Sequence, residues 1–160
     1  MSKSLLTIEQ ILDLLTKHPI QIAEYTADLK SDQLHTSPEQ GEWSINDILA
    51  HLRSCSDVWG NAMETIIAHD QPTIKAISPR TWIKQADYPE QPFRTSLQAF
   101  TKQRTKLLAA LNALPHKSWS RSATVTGAGK PLNSTVFSYA RRLVLHERSH
   151  VNQIKHIADA

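Results

Sequence analysis

The 160-residue chain has one cysteine, four glycines and no long apolar run, and each shortage excludes something. Cys55 has no second cysteine to pair with, so no internal disulfide can hold the fold, and a reducing cytoplasmic setting is expected. Nothing electropositive clusters around it in sequence, so Cys55 reads as a small core residue rather than a reactive thiol. No stretch approaches the ~18 consecutive apolar residues of a membrane span, so no membrane partner is expected. Met1 to Glu9 offers only Leu5-Leu6 before polar residues return, which lacks the apolar centre of an export signal. Charge of one sign is scarce too: 18 Lys and Arg face 15 Asp and Glu, a net +3. The cations are scattered rather than gathered into a stripe interleaved with aromatics, so no nucleic-acid partner is expected.

What is present is ordinary globular usage, 40% apolar and 21% charged. The length leaves room for one domain with a real core, spanning 1–160. Four segments carry helical periodicity. The first, Ile8 to about Leu34, aligns Ile8, Ile11, Leu12, Leu15, Ile22 and Leu29, with His18-Pro19 in its middle predicting a kink or two shorter helices. The second opens at Ser44, which pairs with Asp47 as a capping box, and runs its stripe from Ile45 through Leu52, Cys55 and Trp59 to Ile66. The third spans about Phe93 to Leu114 and stops at Pro115; the fourth follows Pro131 with Ser134 as cap and runs almost to the C-terminus.

Glycine and proline concentrate between these segments. The connection from about 70 to 92 exceeds the ~12 to 15 residues beyond which structureless loops become uncommon, so it is expected to hold structure or function. Ser78-Pro79 reads as the cap and first turn of a short helix there. In the next connection Ala123 to Thr126 suggests a brief extended segment. The fold class expected is all-α, a four-helix bundle with long connections between helices two and three and between three and four.

His146 and His150 are four residues apart, which puts both rings on one helix face, in line with the stripe Val136, Leu143, Ile154 and Ile157. Buried imidazoles need partners for their ring nitrogens, since leaving them unpaired costs on the order of 1 to 3 kcal/mol per group. A metal ion would satisfy them, and so would hydrogen bonds between helices. His51 is the best third member, about 40° around its helix from Cys55 at the edge of the stripe. From the residues alone both readings stand.

The run Trp43-Ser44-Ile45-Asn46-Asp47-Ile48-Leu49-Ala50-His51-Leu52, followed late by Leu145-His146-Glu147-Arg148-Ser149-His150-Val151-Asn152-Gln153-Ile154, strongly resembles the DinB / YfiT-like superfamily of metal-binding four-helix bundles. The likeness covers nearly the whole chain. It implies that His51, His146 and His150 are the metal ligands, and that the ion is divalent, with zinc, nickel, iron and cobalt all compatible with nitrogen donors. Three imidazoles without a fourth protein ligand leave open positions, as in a catalytic site.

The resemblance further implies a metal-dependent thiol S-transferase in detoxification or stress response, using a low-molecular-weight thiol of the bacillithiol, mycothiol or glutathione type. Its rivals are a metal-dependent hydrolase and a non-catalytic metal-binding stress protein. A small-molecule substrate is the expected partner, and a homodimer the expected assembly. Arg53, Arg80, Arg141 and Arg142 are candidates for binding carboxylates, with none preferred. Asp47 is read as a cap before a partner of His51, and Glu147 as turned about 100° away from its neighbouring ligand. Trp43, Trp59, Trp82 and Trp119 are expected to fill the core or close loops over the site, and His18, His35, His69, His116 and His156 to be ordinary.

Overall fold

The computed structural model describes residues 5–160, so Met1 to Ser4, which begin the leader reading, lie outside the described residues. Helix α1 (Ile8–Thr26) starts behind Thr7, which shares a reciprocal capping box with Gln10. It continues through Pro19 as a single helix, and the break falls later, before the short α2 (Ser31–His35). The expected division into two shorter helices therefore comes after Thr26 rather than at His18-Pro19, and the reason α1 continues lies on another helix. Proline has no N–H for the carbonyl four residues back. That carbonyl, on Leu15, instead accepts a 2.9 Å bond from Arg104 Nη1.

Helix α3 (Ile45–Ala68) begins as predicted: Ser44 Oγ accepts from the Asp47 amide at 3.1 Å and Asp47 Oδ2 accepts from the Ser44 amide at 3.0 Å. Helix α4 (Pro79–Gln85) is the short helix expected behind Ser78. Helix α5 covers Phe93–Ala113, and α6 covers Val136–Asp159. The cap of α6 is Thr135, not Ser134. Ser134 faces Ala123 in a strand ladder, so the chain turns helical only after that pairing ends.

The four long helices pack in the cyclic order α1, α6, α3, α5. Ile11, Leu15, Met63, Leu107, Leu111 and Leu143 fill one end of their interior, and Ile22, Ile48, Leu49, Phe93, Phe100 and Ile154 the other. Each such burial contributes roughly 1.5 to 3 kcal/mol over leaving the side chain in water. Among the described residues no helix is long and apolar enough to cross a membrane.

The two long connections close on each other. Strand β1 (Thr73–Lys75), from the first, pairs in parallel with β2 (Ser122–Thr126) from the second, and β2 pairs antiparallel with β3 (Leu132–Thr135). The β2–β3 turn takes positive φ at Gly127 and Gly129, 89° and 84°, where a side chain would be strained. Arg121 clamps this sheet to the end of α3 through bonds to the Ile67 and His69 carbonyls. The result is a small three-stranded sheet lying at the C-terminal end of α3 and leading into the start of α6.

Candidate metal centre

His51 comes from the second turn of α3, His146 and His150 from successive turns of α6, and these two helices are adjacent in the bundle. His51 Nε2 lies 2.8 Å from His146 Nε2. The ring centroids of His51 and His150 are 5.1 Å apart, and those of His146 and His150 are 4.7 Å apart. His150 Nδ1 lies 2.9 Å from Gln153 Oε1, which fits an Nδ1–H donor and leaves the lone pair on Nε2. Cys55 Sγ sits 3.6 Å from His51 Nε2, so that donor atoms of His51, Cys55 and His146 fall within 4.8 Å of one another. Cys55 is a fully buried core residue as well, and burial, reinforced by the Glu147 charge, pushes its thiol up to about 12.

Burial lowers the His51 pKa to about 4, helped by repulsion from His146, His150 and Arg80. His146 is lowered in the same way, by burial and then by His150, against the opposing pull of Glu147. Neutral imidazoles with free lone pairs are what a borderline divalent ion requires. The side chains present thus fit such an ion.

The innermost line of α6 is not the histidines. Leu143, Glu147, Val151 and Ile154 are buried, whereas His146 and His150 are half-buried on the edge that faces α3. Glu147, fully buried, binds Arg104 through both carboxylate oxygens and accepts a 2.9 Å bond from His18 Nδ1. Burial works to raise its pKa, but the Arg104 guanidinium and the His18 contact outweigh that and hold it below the usual carboxylate value. Sequence reasoning took His18 as ordinary and passed over Arg104. The signal was their spacing, since Leu15-His18-Ile22 and Phe100-Arg104-Leu107 are each one helical stripe.

His51 opens onto a cavity of about 380 Å³ lined by Trp43, Asp47, Arg80, Ile83 and Pro89. Trp43 is partly exposed and packs its ring against His51 at 5.1 Å and His150 at 6.2 Å, while Trp59 meets His146 edge-on at 5.4 Å. Trp119 fills the core, and Trp82 donates from Nε1 to Asp57. The four arginines separate. Arg53 is committed to Gln91, Ser96 and the Tyr88 ring; Arg80 faces the cavity; Arg141 holds a buried Nε without a partner; Arg142 lies over the Trp59 and Tyr139 rings.

The family model of the DinB superfamily matches residues 14–154. A candidate metal-dependent hydrolase of Geobacillus kaustophilus is 24% identical over 144 residues, covering 85% of this chain and 75% of that one. A second, from Geobacillus thermodenitrificans, is 22% identical over 142 residues with the same coverage. The solved structure of YfiT from Bacillus subtilis, described as a candidate metal-dependent hydrolase with an unusual four-helix bundle topology, superposes with a TM-score of 0.80 at 16% identity. That superposition covers 99% of this chain and 91% of YfiT.

Proposed function

The chain belongs to the DinB superfamily, and on that premise we propose that His51, His146 and His150 hold a divalent ion and that the protein is a metal-dependent S-transferase for a low-molecular-weight thiol. The observation that carries this reading is the meeting of three imidazoles from α3 and α6 beside an open cavity. A divalent ion supplies, when bound, a Lewis acid that lowers the pKa of a thiol or of water. The chain's own residues do the rest. Gln153 holds the proton of His150 on Nδ1 and so aims its Nε2 lone pair. Trp43 packs on His51 and His150 and limits water at their rings. Arg80, exposed, puts a cation at the mouth, suited to a carboxylate of the incoming thiol.

The cavity supports an organic nucleophile, because about 380 Å³ lies within the ~300 to 1,000 Å³ range of small-molecule sites. The names of the Geobacillus relatives and of YfiT favour a second reading, in which water is the nucleophile and the reaction a hydrolysis.

The test is elemental analysis and thermal unfolding of untagged protein, with His51→Ala and His150→Ala alongside. Wild type is expected to carry about one ion per chain and to gain about 2.7 kcal/mol when the free ion is at roughly 100 times its Kd; both variants lose that gain. Metal content unchanged in both variants overturns the triad. A panel of thiols with an alkylating electrophile, run beside a panel of esters and amides, separates the two reactions: ester or amide turnover without thiol conjugation replaces the first reading with the second.

A further inference from the structure

On the far side of Trp59 from the histidine cluster lies a second cavity, of about 230 Å³, enclosed by α3, α6, the three-stranded sheet and the segment leading into α4. Its walls are apolar: Trp59, Ile74, Val125, Leu132 and Tyr139 all face it. Leu132, on β3 at the chamber's edge, is 59% exposed. The charges on its rim are of one sign, Lys75 and Arg142, and no Asp or Glu is among the described lining residues. Among the described residues Arg142 makes no ion pair; its guanidinium rests over Trp59 and Tyr139 at 5.8 and 5.6 Å. Arg142 also stands one helical turn before His146, and Trp59 is the residue that packs on His146.

We propose that this chamber binds the apolar body of an organic anion, a single ring or short chain carrying a carboxylate, with Arg142 pairing the charge. The size sets the class, because about 230 Å³ falls below the ~300 Å³ at which drug-sized sites begin. The aromatic walls favour a flat ring, and the unpaired cation favours a carboxylate over an amine or alcohol. Trp59 is shared between chamber and histidines, so a ligand seated here is separated from His146 by one indole ring. In this role the chamber deepens the proposed function and rests on it: it is the seat of the electrophilic substrate, while the Arg80 cavity admits the thiol.

The experiment is calorimetric and tryptophan-fluorescence titration of the full chain with 3-phenylpropanoate, 3-phenylpropan-1-ol and 3-phenylpropan-1-amine. The acid is expected to bind roughly tenfold or more tightly than the alcohol, as a charge-assisted bond warrants, and the amine not to bind. Arg142→Met should cut the acid's preference over the alcohol several-fold, leaving Lys75 as the remaining rim cation. Ala128→Trp, placed in the exposed turn at the chamber's lip, should weaken both while leaving the unfolding temperature unchanged. The same titration of His51→Ala keeps this result separate from the metal reading, since the acid should still bind there. Acid and alcohol binding equally to wild type, acid binding unaffected by both Arg142→Met and Ala128→Trp, or no binding at 10 mM (on the order of the weakest useful affinity) overturns the proposal.

Discussion

Glu147 and His146 are neighbours in sequence, yet they belong to polar clusters of opposite character. Around Glu147 nearly every group is paired: Arg104 reaches both carboxylate oxygens, the Leu15 carbonyl and Ser56, leaving its Nε alone without a partner, and His18 adds a further bond. Around His146 the Nε2 atoms of His51 and His146 face each other, His51 borders a cavity, and burial weakens the tendency of these two rings to take up protons. A buried polar cluster that closes on itself specifies how helices dock. One left open beside a cavity has capacity to spare, and that capacity is where a ligand enters.

Unfolding of the metal-free protein in urea is a common scale on which to break or sharpen this contrast. The largest expected effect is Arg104→Met, which leaves Glu147 buried opposite His18 alone and should destabilise by roughly 3 to 5 kcal/mol. A loss below about 1 kcal/mol would mean that the Glu147 cluster is not the closed, paired unit drawn above.

A smaller effect is expected from acid, and it separates the clusters by pH. His51 titrates near 4 in the folded chain against 6.5 when unfolded. Between those values the unfolded state binds a proton that the folded state refuses, so stability rises with pH across the window and is lost on acidification from about 6.5 towards 4. Glu147, whose folded pKa is lowered, acts later: its contribution persists above the unfolded value of 4.5 and is lost only as the pH falls through the folded one. Urea midpoints at pH 7 and pH 5 should therefore differ in wild type and differ less in His51→Ala. An equal pH dependence in both would remove the histidines as its source.

The smallest effect is Pro19→Ala. An ordinary helix interior would return about 3 kcal/mol on losing a proline. Here the carbonyl that proline frees is already bonded to Arg104, so the change should stay within about 1 kcal/mol. A gain near 3 kcal/mol would show that Arg104 does not compensate the missing amide.

The long helices were legible because their apolar spacing is local, and so were the Ser44–Asp47 box, the helix behind Ser78 and the extended run in β2. The β1–β2 pairing was not: Thr73–Lys75 is three residues long and finds its partner about fifty residues away. The shift of the α6 cap from Ser134 to Thr135 follows from that same sheet. The three histidines stood out by spacing and family pattern, but the closed cluster did not, because a charged residue on a helix reads as solvated until its partner is known. His18 and Glu147 are 129 residues apart. The two cavities were out of reach for the same reason, each being lined by residues from several elements.

The proline in α1 bears on the order in which the chain assembles. A peptide of that helix alone carries an unfilled carbonyl at Leu15, and its donor sits 89 residues downstream. The middle of α1 therefore completes its bonding only once α5 has docked, which ties a local element to a distant contact and slows the search for it. The same tie works in reverse on the finished protein: α1 cannot fray at its centre without releasing Arg104, and with it the strut that holds the neighbour of His146 in place.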